Sequence, residues 1–200
     1  MLVEGMMSRP VYAPLTPRPG RLHVVVVDDE GILAVAHLAA TAPDGFLAGT
    51  RIIFVTGRSA GEDQKGRLEA LVPAIFVQVP NVAVAIATLR AELANARMGT
   101  QIYAAGTESL IGQVVQAALE EGLELGAIGA EHRGSLERRV QCVHCKQITE
   151  SVTTQPATCS GCGLSLLVRD HYSRRMGAFQ GVCIDAEEPG TAPEPKVVFA

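Results

Sequence analysis

Residues 22–42, LHVVVVDDEGILAVAHLAATA, contain four consecutive valines, three acidic residues, one glycine and a segment rich in alanine and leucine. The unbroken apolar run predicts a β-strand buried on both faces, and the segment after Gly31 predicts an α-helix. A buried strand that passes through a short turn into a helix is the repeating unit of a parallel α/β sheet. We therefore expect this stretch to form the first strand and helix of such a sheet.

The same alternation of strands and helices continues along the chain. Asn81 precedes the helical segment 82–98 and is a residue type that favours the N-cap position. The further predicted strands and helices occupy residues 50–57, 62–71, 74–79, 82–98, 101–106 and 108–122. They predict an α/β fold with a doubly wound parallel sheet, because strands covered by helices on both faces are apolar throughout.

Composition divides the chain into four segments. Residues 1–20 are rich in proline, so we expect an extended leader that contributes nothing to a core. Residues 21–134 form the α/β domain, and AEHRGSLERR at 130–139 is interpreted as a connector with the boundary near Gly134. Residues 135–186 contain paired cysteines and short apolar runs. Residues 187–200 are rich in Pro and Glu, and we expect an extended tail held by its last apolar residues.

The overall charge argues against two classes of partner. The formal net charge is -4 and the pI is about 5.7, so the chain lacks the basic excess that attracts nucleic acids and anionic lipids. No apolar run reaches the roughly 18 residues needed to span a bilayer. The start of the chain is too polar and proline-rich for a signal peptide. We predict a cytoplasmic protein that binds neither nucleic acid nor membrane.

Four of the five cysteines form the pattern C-x2-C-x13-C-x2-C, at Cys142, Cys145, Cys159 and Cys162. Each pair can place two thiolates on one tight turn, and two such turns supply the four ligands of a tetrahedral zinc site. A rubredoxin-type iron site uses the same ligands, so iron remains the alternative. We favour structural zinc in a small ribbon whose folding depends on the metal. The fifth cysteine, Cys183, is interpreted as a strand or core residue.

The acidic run after the first strand is also typical of phosphorylated receiver domains. A receiver needs a phosphoacceptor Asp at the end of its third strand and a Lys after its fifth. The third predicted strand, AIFVQVP, contains no Asp, and QIYAAGTE contains no Lys. The sequence therefore excludes a receiver.

The α/β segment resembles a different family. Residues 103–131 resemble the closing part of the NAD-binding domain in the ferredoxin reductase superfamily, especially its phthalate dioxygenase reductase branch. Their sequence is YAAGTESLIGQVVQAALEEGLELGAIGAE, which ends at Glu131. HVVVVDDEGILAVAHLAA and VTGRS are similar to the first strand and helix and to the second strand end of that domain. The resemblance implies a nucleotide crevice at Gly31, Gly57 and Gly106.

This chain departs from that family at the crevice. Asp28, Asp29 and Glu30 stand where the family has glycines, and residues 105–107, Ala-Gly-Thr, stand where it has Cys-Gly-Pro. Carboxylates about 5 Å from the phosphates of a dinucleotide would repel them by several kcal/mol, so we interpret the crevice as degenerate. Acidic residues at a helix N-terminus also cap free N–H groups. The sequence leaves open whether they serve only the fold or also dock a basic partner segment.

The segment HYSRRMGAFQGV follows the second cysteine pair and contains His171, Tyr172, Arg174 and Arg175. We place it immediately after the second hairpin of the ribbon, and we predict that these four residues bind a protein partner, because Arg and Tyr are frequent at interface hot spots. The alternative is that they only tether the ribbon or lie in solvent.

In the order of its segments, the chain resembles the small A subunit family of dimethylamine monooxygenase. These segments are a reductase-like domain, the CVHC and CSGC pairs, HYSRRMGAFQGV and an acidic tail. That resemblance implies an NADPH- and O2-dependent assembly that converts dimethylamine to methylamine and formaldehyde. Its other subunits would be a flavin and 2Fe-2S reductase and a haem-dependent demethylase.

We therefore expect a noncatalytic accessory subunit that holds the reductase and demethylase components together. Three alternatives stay open: a rubredoxin-like electron-transfer subunit with iron in the four-cysteine site, an NADPH-binding subunit, and a zinc ribbon that binds nucleic acid. The first would be coloured, the second would bind NADPH, and the third would bind DNA in a salt-dependent way.

Overall fold

A computed structural model describes residues 9–56, 62–94, 96 and 98–200, with the backbone alone at 62–64. The described chain forms two compact units, one of residues 12–134 and one of residues 9–11 with 135–200.

The first unit is a five-stranded parallel sheet with four helices. The elements are β1 (Leu22–Val27), α1 (Ile32–Thr41), β2 (Thr50–Val55), α2 (Glu62–Glu69), β3 (Ile75–Val79), α3 (Val82–Leu93), β4 (Thr100–Gly106), α4 (Glu108–Glu120) and β5 (Ile128–His132). The strand order is β3-β2-β1-β4-β5, and every pair is parallel. The predicted doubly wound α/β fold is confirmed.

The four valines of β1 explain why this strand lies at the centre. Val24 and Val26 pack into a core cluster with apolar residues of α3 and α4. Val25 and Val27 pack into a second cluster, with residues of α1 and Leu68 of α2. Alternate side chains of a strand point to opposite faces, so an unbroken valine run is buried on both. The predicted cap of α3 is also present, since Asn81 Oδ1 accepts a hydrogen bond from Val84 N at 3.0 Å.

The predicted connector at residues 130–139 is wrong. Residues 130–132 belong to β5, which pairs with β4 over the register Ile102↔Ile128 to Gly106↔His132. Residues 138 and 139 open the first strand of the second unit. This strand is short and combines Ile, Gly and Ala with the buried polar residue Glu131, so it contains no continuous apolar run. The sequence IGAEH therefore gave no strand signal.

The expectation that residues 1–20 contribute no core is also wrong. Leu15 is only 2% exposed and lies in the same core cluster as Val25 and Val27. Its backbone N–H donates to Glu131 Oε2 at 2.7 Å, and the backbone N–H of Arg18 donates to the Tyr103 hydroxyl at 3.0 Å. Residues 9–20 contain no helix or strand, as expected, but part of this leader is docked on the first unit.

The second unit is built from short strands. They are β6 (Arg138–Cys142), β7 (Ile148–Val152), β8 (Thr154–Gln155), β9 (Ala157–Thr158), β10 (Ser165–Ser173), β11 (Ala178–Cys183) and β12 (Lys196–Val197). One sheet has the order β7-β6-β11-β10-β9, and β12 pairs with β8. Strands β6 and β11 are parallel, whereas the other pairs are antiparallel.

The tail is held by its end, in agreement with the sequence. Phe199 is buried in the core of the second unit, and its backbone N–H donates to Thr153 O at 2.9 Å. The guanidinium of Arg138 lies 4.1 Å from the ring centroids of both Phe179 and Phe199. A cation between two aromatic faces is stabilised by both rings.

No helix among the described residues has the length and apolar character required to cross a bilayer.

Candidate functional site

The four paired cysteines come together in the second unit. Their four sulfur atoms all lie within 4.8 Å of one another, with Cys142 Sγ 3.8 Å from Cys162 Sγ and Cys145 Sγ 3.5 Å from Cys159 Sγ. A tetrahedral zinc ion with Zn–S bonds of about 2.3 Å requires S–S separations of about 3.8 Å. Two of the S–S separations are close to this value and none exceeds 4.8 Å, so the four cysteines could hold one metal ion.

Both cysteine pairs adopt the same turn. Lys146 N donates to Cys142 O at 3.0 Å, and Gly163 N donates to Cys159 O at 3.1 Å. Lys146 and Gly163 follow the second cysteine of each pair, and both have positive φ, at 66° and 73°. The residue in this position must adopt a left-handed conformation, which glycine adopts without strain. The repeated geometry explains why two C-x2-C motifs present four thiols to one point.

A second glycine, Gly161, lets the two turns approach closely. A Cβ atom added at Gly161 would lie 2.7 Å from Gln147 Cβ and 3.2 Å from Cys145 Sγ. The backbone N–H of Gly161 also donates to Cys159 Sγ at 3.4 Å. Such N–H···S bonds stabilise a thiolate and orient it toward a metal.

The four thiols differ in acidity and exposure. Cys142 and Cys159 are buried, whereas Cys145 and Cys162 are exposed. Burial raises the pKa of Cys159, but hydrogen bonds from the backbone of Cys162 and Gly161 and from the Cys145 thiol lower it to about 6. A backbone hydrogen bond from Leu164 lowers the pKa of Cys162, but slight desolvation and hydrogen bonds with the neighbouring thiols raise it to about 12. The thiolate is the ligand form, so the cluster already favours ionisation at one sulfur.

The fifth cysteine lies outside this cluster. Cys183 ends β11, and its thiol donates to Asp185 Oδ1 at 3.2 Å. That hydrogen bond to the carboxylate is the main reason that the pKa of Cys183 is raised. Cys183 is a partly buried strand residue, as interpreted from the sequence.

The predicted nucleotide crevice lies between β1 and β4, where the strand order reverses. Ligands of doubly wound folds bind at the carboxyl ends of the strands at this point. Gly31 follows β1 through a short turn, and a Cβ atom there would collide with the backbone of Ala105. Gly106 ends β4 with φ of 135°. The predicted crevice residue Gly57 lies outside the described residues.

The side chain of Asp28 fills this point. Its Oδ1 accepts hydrogen bonds from the backbone N–H groups of Glu30 and Gly31, both at 3.2 Å. Its Oδ2 accepts from Thr107 N and Thr107 Oγ1, both at 2.9 Å. A Cβ atom added at Gly106 would collide with the Asp28 carboxylate. The N–H groups at the crevice are thus already bonded to a carboxylate of the chain itself.

The environment of Asp28 is unusual for a carboxylate. Burial raises its pKa, although hydrogen bonds from Thr107, Gly31 and Glu30 act in the opposite direction. Of the two roles that the sequence left open, N-terminal capping is present in the structure. The same contacts give Asp28 the position that a phosphate group takes at the N-terminus of a helix.

The sequence did not indicate that the leader reaches the neighbouring strand ends. Tyr12 donates from its hydroxyl to Glu108 Oε1 at 2.6 Å, and its ring stacks on His132 with centroids 5.7 Å apart. Arg133 Nε donates to Glu131 Oε1 at 2.8 Å. A single Tyr between prolines carries no periodic signal, so only the fold shows that it lies over the ends of β4 and β5.

The four predicted partner-binding residues do not share one environment. His171 and Tyr172 lie at the end of β10, and Arg174 and Arg175 lie in the turn to β11, so the segment is part of a hairpin and does not follow it. His171, Arg174 and Arg175 are exposed. The ring of Tyr172 packs edge-on against Phe179 at 5.0 Å and belongs to the margin of the core.

Comparison with known proteins gives two matching domains. The sequence profile described as "Dimethylamine monooxygenase subunit DmmA-like, N-terminal domain" matches residues 4–128, and the corresponding C-terminal domain profile matches residues 139–182. A heme-dependent oxidative N-demethylase delta subunit of Ectopseudomonas mendocina (strain ymp) is 30% identical over 144 residues. That alignment covers 69% of this chain and 82% of the relative.

One solved structure is similar over much of the chain. An intact type IV self-sufficient cytochrome P450 monooxygenase aligns with 19% identity and a TM-score of 0.41. The alignment covers 82% of this chain, which spans only 26% of that longer protein.

Proposed function

The chain belongs to the dimethylamine monooxygenase subunit DmmA-like family, and we propose that it is a noncatalytic accessory subunit of a multicomponent, NADPH- and O2-dependent dimethylamine monooxygenase. The assembly would convert dimethylamine to methylamine and formaldehyde. Its reductase, with flavin and a 2Fe-2S cluster, and its haem-containing demethylase would be separate subunits. This chain would hold the two within electron-transfer range.

The observation that carries this proposal is the occupation of the crevice by Asp28. In a reductase-like fold, the glycines and backbone N–H groups at this point hold the pyrophosphate of a dinucleotide. Here those N–H groups bond to a carboxylate, which would repel a phosphate by several kcal/mol at about 5 Å. The geometry supports a unit that keeps the fold of a nucleotide domain and uses it for assembly.

The cysteine cluster supports a structural role for the second unit. Cys142, Cys145, Cys159 and Cys162 would hold one zinc ion, whose chemistry is to crosslink the two turns through four thiolates. The core of this unit is small, so metal binding would supply much of its folding free energy. His171, Tyr172, Arg174 and Arg175 remain our proposal for the partner-binding segment, with Tyr172 in a supporting position.

Reconstitution with separately purified components tests the function. We expect the chain to co-purify with the reductase and demethylase and to raise the rate of NADPH-coupled formaldehyde production. We expect no micromolar binding of NADPH to the chain alone in calorimetry. Full formaldehyde production by the other subunits without this chain would contradict the accessory role, and micromolar NADPH binding would favour a cofactor-binding subunit.

A second function, electron transfer, is favoured by the exposure of two of the four cysteines. Cys145 and Cys162 are exposed, so an iron ion at this cluster would lie close to the surface. Short distances to a partner are what a rubredoxin-like electron carrier requires. The absorption spectrum of protein purified with its native metal separates the two: a zinc site is colourless, whereas an iron–thiolate site absorbs in the visible region.

A further inference from the structure

The turn between β10 and β11 is held in one conformation. Met176 N donates to Ser173 O at 3.2 Å and closes a turn that has Arg174 and Arg175 at its centre. The next residue, Gly177, has φ of 56°, as hairpins with four-residue loops often require. Below the turn, the buried guanidinium of Arg139 donates to Met176 O at 2.6 Å. The two central arginines are therefore presented from a fixed backbone.

This hairpin carries three arginines and one histidine on its surface. Arg169, His171, Arg174 and Arg175 are exposed, and none of them has an ion-pair partner among the residues that the structure describes. We call this set the cationic tip.

The carboxylates close to the cationic tip are used elsewhere. A register shift between Arg169 and Tyr172 places Asp170 outside the ladder, where it binds Arg138 at 3.0 Å and Arg9 at 2.6 Å. Both guanidinium contacts lower the pKa of Asp170, with the hydrogen bond from Arg9 the largest cause. Glu150 binds the Nε of Arg139 at 2.8 Å. Each of these two carboxylates faces an arginine below the surface and leaves the positive charge of the tip uncompensated.

The first unit, in contrast, contains more acidic than basic residues. Residues 12–134 contain nine Lys and Arg residues and thirteen Asp and Glu residues. Strands β10 and β11 with their turn contain three arginines and one aspartate. A local positive surface on an acidic protein selects a negative surface of limited size, because an extended polyanion would be repelled by the remainder. A carboxylate-rich protein surface fits this better than nucleic acid.

We propose that the cationic tip docks onto a carboxylate-rich surface of a protein partner. The identity of that partner rests on the proposed function, in which it is the reductase or the demethylase subunit. Guanidinium groups pair with carboxylates through two parallel hydrogen bonds. Because the turn is already fixed, little backbone freedom is lost when those bonds form. The tip would accelerate association and set the orientation of the subunits.

Charge reversal tests the proposal in the intact chain. We compare R174E/R175E with K65E/R67E, which makes the same change of charge on helix α2 of the other unit. In surface-binding experiments against each purified subunit, R174E/R175E should lower the association rate constant at least about tenfold, and K65E/R67E by less than about twofold. The difference should shrink as salt rises from about 0.1 M to about 1 M, because the screening length falls from about 10 to about 3 Å. Arg174→Gln with Arg175→Gln removes the charge more gently if the reversed variant folds poorly.

A second experiment does not depend on the partner. A short oligo-L-glutamate peptide, which matches a carboxylate surface of limited size, should shift the backbone amide NMR signals of residues 169–177 in the chain and leave those around Lys65 and Arg67 in place. Shifts spread equally over both regions, or tighter binding of a DNA duplex at residues 169–177, would overturn the proposal. If the oligo-glutamate peptide binds at the tip and neither subunit binds the chain, the proposed function fails and the cationic tip stands. If the subunits bind both double variants equally, the tip proposal fails alone.

Discussion

Asp28 provides the sharpest test of how the α/β unit is built. Its carboxylate accepts hydrogen bonds from the backbone of Glu30, Gly31 and Thr107 and from the Thr107 hydroxyl. It therefore caps the 3-10 turn Asp29–Gly31, which leads into α1, and also joins the carboxyl ends of β1 and β4. Removing the side chain by Asp28→Ala breaks both connections and leaves the backbone unchanged.

The loss of stability can be worked from these contacts. Replacing an Asp N-cap by Ala costs about 1 kcal/mol. Leaving the partly buried N–H of Thr107 without an acceptor costs about 1 to 3 kcal/mol more. The alanine variant does not have the free-energy cost of burying a carboxylate, which offsets part of this loss. We expect Asp28→Ala to lower the free energy of unfolding by about 2 to 3 kcal/mol, and Asp28→Asn by less, because the amide oxygen can keep the cap.

The pH dependence has a defined sign. Burial raises the pKa of Asp28 in the folded state, so the folded protein binds this proton more tightly than the unfolded chain does. The resulting stabilisation is fully present below the unfolded pKa of about 3.9 and is lost as pH rises through the folded pKa. Because Asn does not titrate, the advantage of the wild type over Asp28→Asn should be largest at the acidic end and decrease toward neutral pH.

Urea denaturation followed by circular dichroism measures both effects, with Asp44→Ala as the control at an exposed carboxylate. A loss for Asp28→Ala within about 0.5 kcal/mol of the control would refute the structural role, since ordinary surface substitutions stay within that range. So would a difference between wild type and Asp28→Asn that does not change with pH.

Three further predictions concern other parts of the molecule. Cys142→Ser or a strong chelator should remove the one zinc equivalent and unfold the second unit, whereas Cys183→Ser should keep the metal. Atomic absorption measures the bound zinc and near-UV circular dichroism measures the folding of the second unit. A second unit that stays folded without metal would contradict this prediction. Leu15→Ala should lower the free energy of unfolding by about 2 to 4 kcal/mol in urea titrations, and a value near zero would mean that the leader is not docked. Arg138→Leu should destabilise the second unit by about 1 to 3 kcal/mol in thermal melts, because Asp170 loses an ion-pair partner and the rings of Phe179 and Phe199 lose the guanidinium between them. An unchanged melting temperature would argue against a stabilising contact between Arg138 and the two rings.

The centre of the fold was predictable because burial determines the residue type there. A strand between two helical layers must be apolar on both sides, and the valines of β1 meet that condition. The cysteine cluster was predictable for a different reason: a tetrahedral metal restricts both ligand type and spacing. In both cases one physical requirement acts on consecutive or regularly spaced residues.

The remaining features depend on contacts that are distant in sequence. Leu15 becomes a core residue because its N–H reaches Glu131, which is 116 positions later. The acidic run gave the correct local role for Asp28 as a cap, but the contact with Thr107, 79 positions away, is what fills the crevice. Neither partner could be identified from local periodicity. The edge strand β5 was missed for the related reason that its buried polar residue Glu131 is satisfied by the distant backbone of Leu15.

Strand β11 connects the cysteine cluster with the cationic tip. Its register places Gly181 beside Cys142, and Val143 N in the first cysteine turn donates to Gly181 O at 3.0 Å. A Cβ atom at Gly181 would lie 2.8 Å from Val140 Cγ1 and 2.9 Å from Leu166 Cδ1, so a larger residue there would displace these core side chains. At its other end β11 pairs with β10 and closes the arginine turn. The first cysteine turn and the arginine turn thus both contact β11. The cysteine cluster is distant from the cationic tip in sequence, but it supports the sheet from which the arginines project.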